Sequence, residues 1–135
     1  MNPRPAFRLA IDRHTPVLVQ GITGRAGQRH AQMMRAAGTS IVGGVSSRSD
    51  LESVGGIPVF ASCVEAVAAT GAVASVVLVG PGQVRAAVDE ALGAGIGLIV
   101  TPAEGVPVHD AVAIRHQVDS AHAIWIGAST PGIAV

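Results

Sequence analysis

Apolar residues in this chain fall into short runs separated by amphipathic stretches of helix length. The β-branched runs mark strands at Val17–Gln20, Ser40–Val45, Ala74–Val79, Gly97–Val100 and Ala123–Ile126. Runs such as Ser75-Val76-Val77-Leu78-Val79 and Leu98-Ile99-Val100 lack polar alternation, which suits strands buried on both faces. Between them the pattern predicts helices at about Ala26–Ala37, Cys63–Ala69, Gln83–Leu92 and Val108–Ala121. Ile57–Phe60 is a further extended piece, but Pro58 has no amide for a central ladder, which assigns it to an edge or a connector. Ser62 and Glu65 have the spacing of a capping box at the start of the second helix. Gly38, Gly71 and Gly95 stand where helices should stop, supplying the left-handed conformation such ends favour. Alternation of strands and helices implies right-handed crossovers and a parallel sheet, so the expected fold class is α/β, doubly wound, with about five strands.

Length and composition change this picture little, but they exclude several functions. A chain of 135 residues can bury roughly two-thirds of its unfolded surface without disulfides or a metal. Residues 1–10 read as an N-terminal tail and residues 11–135 as one domain. Apolar residues make up 49% and charged residues only 13%, about half the usual charged share; a surface that poor in charge leans toward an oligomer or a partner subunit. The formal net charge is zero and no run of cations exists, which excludes a nucleic-acid backbone as partner because phosphate contacts need clustered Lys or Arg. Cys63 is the only cysteine, so no internal disulfide can form and a reducing compartment fits. Met1–Asp12 has no secretory h-region and no apolar stretch approaches the ~18–20 residues of a membrane helix. The expectation is a cytoplasmic protein with no membrane partner.

Candidate chemistry is densest at the first strand–helix junction, Val17-Leu18-Val19-Gln20-Gly21-Ile22-Thr23-Gly24-Arg25-Ala26-Gly27-Gln28. A buried strand running through Gly21, Gly24 and Gly27 into a helix lets the backbone turn sharply, approach a ligand closely and pack the helix on the strand, as in Rossmann-like folds. Free amides at the helix start, aided by the helix dipole, favour a phosphate group. Thr23 and Arg25 add a hydroxyl and a cation. The spacing Gly-x-x-Gly-x-x-Gly is one residue longer than the dinucleotide fingerprint. An NAD site also wants an acid at the end of the second strand for the ribose hydroxyls; here Val45 is followed by Ser46-Ser47-Arg48-Ser49. That loop suits an additional ribose phosphate, which narrows the ligand to NADP or coenzyme A.

Beyond these junctions, separated motifs run through the chain: Gln20-Gly21-Ile22-Thr23-Gly24, Ile41-Val42-Gly43-Gly44-Val45, Gly56-Ile57-Pro58-Val59-Phe60, Glu65–Ala72, Ala94-Gly95-Ile96, Leu98-Ile99-Val100-Thr101, Glu104-Gly105-Val106-Pro107 and Pro131-Gly132. In this order, from about Leu9 to Ile133, the chain resembles the N-terminal, CoA-binding domain of the succinyl-CoA ligase α subunit. The resemblance implies that Gly21, Thr23, Gly24, Arg25, Ala26 and Gly27 form the turn holding the phosphates of coenzyme A or an acyl-CoA. Ser46 and Arg48 would stand where the family contacts the 3′-phosphate region with a lysine. Val79, Gly80 and Pro81, with Thr101, Pro102, Ala103 and Glu104, would line the cofactor from loops at the carboxyl ends of strands. Near its reactive end the family has an Asn-Cys pair, whereas this chain reads Gly127-Ala128-Ser129-Thr130, with Ser129 the candidate contact.

The same resemblance sets limits on activity. The family's second domain, with its phosphorylated histidine, has no counterpart here, and none of His14, His30, His109, His116 and His122 matches that histidine. No pair of them has the spacing of a metal site, and His30 is expected to be a packed or capping side chain. Cys63, at a helix start, is either an activated thiol or a buried structural one. No catalytic residue is assigned. The leading expectation is a CoA-binding subunit or module, inactive alone, that joins a ligase-like partner or forms a homo-oligomer. The alternatives are a stand-alone CoA or acyl-CoA sensor or carrier, and an NADP-binding oxidoreductase fragment, although the chain has no tyrosine to donate a proton.

Overall fold

The computed structural model describes residues 14–46 and 51–127; the expected tail, together with Arg48 and Ser129, lies outside them. The apolar runs pair into one seven-stranded sheet. The strands are β1 (Val17–Gln20), β2 (Ile41–Val45), β3 (Ser53–Val54), β4 (Ile57–Phe60), β5 (Ala74–Val77), β6 (Leu98–Thr101) and β7 (Ile124–Gly127). The helices are α1 (Arg25–Ala36), α2 (Cys63–Thr70), α3 (Val84–Gly93) and α4 (Val108–Ser120), with a 3-10 turn at Pro81–Gln83 leading into α3. Strand order is β3-β4-β2-β1-β5-β6-β7. All neighbours are parallel except β3 and β4.

The doubly wound α/β expectation holds, and the strand count rises from about five to seven. The difference lies at one margin of the sheet. Ile57–Phe60 is paired on both sides, parallel to β2 and antiparallel to β3, so it is not the edge. Pro58 is tolerated because the parallel ladder involves Val59 and Phe60, beyond the residue that lacks an amide. The true margin is β3, a two-residue strand closed onto β4 through Gly55 and Gly56, both at positive φ. Such a short hairpin leaves too little alternation to read from sequence. At the other boundary β5 stops at Val77 rather than Val79, because Leu78 and Val79 bend toward the first turn.

Helices lie on the two faces unequally. α1 covers β1, β2 and β4 through Ala31 and Met34, which pack against Val19, Ile22 and Ile57. α2, α3 and α4 share the opposite face, where Cys63, Ala66, Val84, Val88, Ile114 and Val118 meet Leu18, Val77 and Ile99. Each of the fully buried Val, Leu and Ile side chains among these contributes roughly 1.5–3 kcal/mol of transfer free energy. Helix ends follow their sequence signals. Ser62 Oγ accepts from the Glu65 amide at 3.2 Å, and Gly71 closes α2 at φ +71. Gly38 and Gly95 likewise adopt positive φ after α1 and α3. Among the described residues no helix is long and apolar enough to cross a membrane.

Candidate functional site

The order of strands reverses between β1 and β5: the chain winds outward from β1 through β2 to β4, then crosses back to β5. At such a switch point the loops leaving two adjacent strands turn to opposite faces and open a crevice at the carboxyl edge. A cleft of about 1030 Å³ lies there. One wall is the turn after β1, with Gly21, Thr23, Gly24 and Arg25; the other is α3, with Ala86, Ala87 and Glu90, and Gln83 at the end of the 3-10 turn before it. Ser46 and Ala61 close one side, and Leu78, Val79 and Gly80 the other end of the rim.

The first turn is built by close approach. Gly21 has φ +83, and a β-carbon on it would come within 2.5 Å of the Leu78 carbonyl oxygen. Gly27 packs its bare Cα against the Gly21 carbonyl and Ile22, with no room for a side chain. Gly44 in β2 gives up its side chain to the same end, since Ile22 fills that space. On either side of the turn, Gly21 N–H donates to Val45 O at 2.9 Å and Leu78 N–H to Gln20 O at 2.8 Å. A hydroxyl pair, Thr23 Oγ1 and Ser46 Oγ at 2.7 Å, ties the turn to the end of β2.

α1 starts without the groups that ordinarily complete a helix N-terminus. Its N-cap is Gly24 (φ −72°, ψ 160°), which supplies no side-chain acceptor, and no acidic residue lies in the first turn. The first intrahelical bond runs from Gln28 N–H to Gly24 O at 2.9 Å, so the amides of Arg25, Ala26 and Gly27 have no acceptor within the helix. Their partial positive charge lies at the helix start beside Gly24 and Arg25, which line the cleft, and suits an anionic oxygen. The donor set therefore fits the phosphates of a nucleotide-bearing ligand.

Beneath the cleft a buried polar bridge fixes its two walls. Gln20, at the end of β1, donates through Nε2 to Ala87 O at 2.8 Å and accepts at Oε1 from Ser75 Oγ at 2.7 Å. Both side chains are essentially inaccessible, at 3% and 0% exposure, so each polar atom needs these partners. Glu90 is held by the start of α2: Cys63 N–H donates to its Oε2 at 2.8 Å. Burial, with the Glu90 carboxylate as a second cause, pushes the Cys63 thiol up to about 12. Of the two possibilities for Cys63, the activated thiol is thus excluded; its sulfur is buried and protonated.

The structure brings Gly21, Thr23, Gly24, Arg25, Ser46, Val79 and Gly80 to the cleft walls. Ala26 and Gly27 contribute backbone at the helix start rather than wall surface. Pro81 opens the 3-10 turn beside them and lies near Gly105, so the loop carrying Thr101, Pro102, Ala103 and Glu104 approaches the same edge without lining the cleft. The Thr101 hydroxyl is buried and accepts from Trp125 Nε1 at 2.9 Å, which joins β6 to β7. Pro102 lines a separate apolar cavity of about 260 Å³ beside α1, with His30 at its exposed rim rather than packed inside. Arg48 and Ser129 lie outside the described residues. Sequence reasoning did not assign Gln20, Gln28, Val45, Ala61, Leu78, Gln83, Ala86, Ala87 and Glu90 to the site; of these only Gln20 and Gln28, polar residues flanking the glycine turn, left a signal. Among the described residues no group of three or more His, Cys, Asp or Glu could hold a metal ion.

Fold and cleft together define an α/β module with a cleft at a strand switch point whose donors suit a phosphate-bearing ligand. Comparison with known proteins gives this class a family. The profile described as CoA binding domain matches residues 12–105. The chain is 43% identical over 125 residues to the succinate–CoA ligase [ADP-forming] subunit alpha 2 of Archaeoglobus fulgidus, covering 93% of this chain and 44% of that protein. It is 41% identical over 107 residues to the malate–CoA ligase subunit alpha of Methylorubrum extorquens, covering 79% of this chain and 36% of that one. Among solved structures, a conserved hypothetical protein from Pyrococcus furiosus superposes with a TM-score of 0.66 at 14% identity, over 89% of this chain and 98% of that one, a likeness of fold alone. The chain belongs to the CoA-binding domain family. It spans less than half the length of these ligase relatives.

Proposed function

We propose that this chain is the coenzyme A-binding module of an acid–CoA ligase and works with a partner that supplies the rest of the ligation chemistry. The observation that carries this reading is the bare start of α1, where Gly24 caps without a side chain, no acid occupies the first turn and Arg25 stands at the cleft. Phosphates fit there, held by Thr23, Gly24 and Arg25 with the amides of Ala26 and Gly27 behind them. Ser46 takes the 3′-phosphate side, and Val79, Gly80 and Pro81 lead toward the thiol, with the Thr101–Glu104 loop at the same edge of the sheet. Family membership supports this direction, and the ligase relatives are named as α subunits, which supports a heteromeric partner.

Titration calorimetry of the cofactor-stripped protein with coenzyme A, dephospho-coenzyme A, NADPH and NAD tests the ligand. Micromolar binding of coenzyme A that weakens without the 3′-phosphate is expected. Binding of NADPH in its place would overturn the reading.

A second reading, a stand-alone carrier or sensor of coenzyme A or acyl-CoA, is favoured by the cleft walls. Among the described residues their charged side chains are Arg25 and Glu90, with no His, Cys or Asp, so no nucleophile stands beside an orienting base. Thioester formation that appears only on adding a ligase-like partner supports the module; a tight acyl-CoA complex indifferent to that partner supports the carrier.

A further inference from the structure

The two charged side chains of the cleft belong to elements on opposite faces of the sheet: Arg25 starts α1, and Glu90 closes the face that α3 turns to the cleft. Arg25 is accounted for by phosphate. Glu90 is not, because a carboxylate repels phosphate and can only accept hydrogen bonds. An acid facing an anionic ligand across one cleft calls for a donor on that ligand.

We propose that Glu90 recognises the exocyclic amino group of the ligand's adenine ring and so sets which end of the ligand lies against α3. This rests on the coenzyme A reading above. The carboxylate is held in place: Oε2 accepts the Cys63 amide at 2.8 Å at the start of α2, where the helix dipole stabilises negative charge. An ionised carboxylate has about four acceptor sites, so capacity remains toward the cleft after Cys63 is served. The wall around it suits a planar ring. Ala86 lies one helical turn before Glu90 on the same face, and Ala87 and Ala61 present methyl groups and nothing larger. Gln20 pins this wall to β1 through the Ala87 carbonyl, so its distance from the phosphate turn is set by the sheet. A ligand with phosphates at α1 and an amino-bearing purine at α3 satisfies both charges. The reverse orientation would place phosphate against Glu90.

The test compares coenzyme A with its purine analogue, in which hydrogen replaces the adenine amino group, by calorimetry on the intact chain. The native protein is expected to prefer coenzyme A by about tenfold, the size of one hydrogen bond to a charged group. In Glu90→Gln the side-chain carbonyl still accepts the Cys63 amide, which preserves the start of α2, while the amide nitrogen turned to the cleft is a donor. The preference should fall to about twofold or less. Equal binding of both ligands by the native protein, or an unchanged preference in Glu90→Gln, would overturn this assignment and leave coenzyme A binding intact. Failure of the native protein to bind either ligand would remove the coenzyme A reading and this one with it.

Discussion

The chain contains no lysine and no tyrosine, so Cys63 is its side chain whose ordinary ionisation falls in the alkaline range below arginine. Burial, and after it the neighbouring Glu90, push its thiol up from an ordinary value of 9.0 to about 12. Between those values the folded state holds a proton that the unfolded state has released, so the stabilisation is complete below the lower value and is lost as pH rises toward the upper one. Urea unfolding at pH 7, 9 and 10.5 should show stability falling only above about pH 9, and Cys63→Ala should flatten that slope. Space decides the second residue-scale prediction. A β-carbon on Gly27 would overlap the Gly21 carbonyl, whereas one on Gly80 meets nothing within 4 Å. Gly27→Ala should cost about 2 kcal/mol or more in chemical denaturation and weaken coenzyme A binding with it. Gly80→Ala should leave stability within about 0.5 kcal/mol of native.

Among the elements, α1 and α2 show two ways of completing a helix start. α2 is finished within the protein: Ser62 caps it, Glu65 reaches back to the Ser62 hydroxyl at 3.2 Å, and Glu90 takes the Cys63 amide. α1 lacks all of this. Gly24 sits at φ −72°, which any residue adopts, and a β-carbon there makes only a 3.5 Å contact with Gly21 O. Gly24→Asp should therefore supply the missing cap and raise the stability of the free protein by roughly a few tenths of a kcal/mol through the cap and about 0.3–1 kcal/mol through the helix dipole. The same carboxylate occupies the anion position, so coenzyme A affinity should fall at least about tenfold. Stability that rises while binding falls, followed by thermal melts and calorimetry on one variant, separates a ligand-directed helix start from an unfinished one. The capping box, the glycine stops and the strand before Gly21 were all legible in sequence, because each is a pattern over a few adjacent residues. The β3–β4 hairpin was not: Ser53-Val54 becomes a strand only because β4 is already fixed against β2.

At the scale of the whole molecule, the cleft draws on β1, β2, α3 and the loops after β4 and β5, so a ligand there bridges both faces of the sheet. Coenzyme A at a hundred times its dissociation constant should raise the unfolding free energy by about 2.7 kcal/mol, with hydrogen exchange slowing together in the turn at Gly21–Arg25 and in α3. Slowing confined to the turn would mean that the ligand does not reach α3. The chain by itself determined the alternation of strands and helices, the parallel sheet those apolar runs require, and the glycine turn that runs into a helix start without a side-chain cap. These are short-range properties, carried by side-chain periodicity and by backbone angles that only certain residues adopt. Tertiary structure decided the opposite wall. Ala61, Ala86, Ala87 and Glu90 follow Gly21 by 40 to 69 residues and carry no ligand-binding signature of their own. They reach the cleft because the crossover from β4 to β5 reverses the winding beside β1, and because the buried Gln20 bridge holds α3 there. Strand order is set by the packing of the whole sheet, and no local pattern records it.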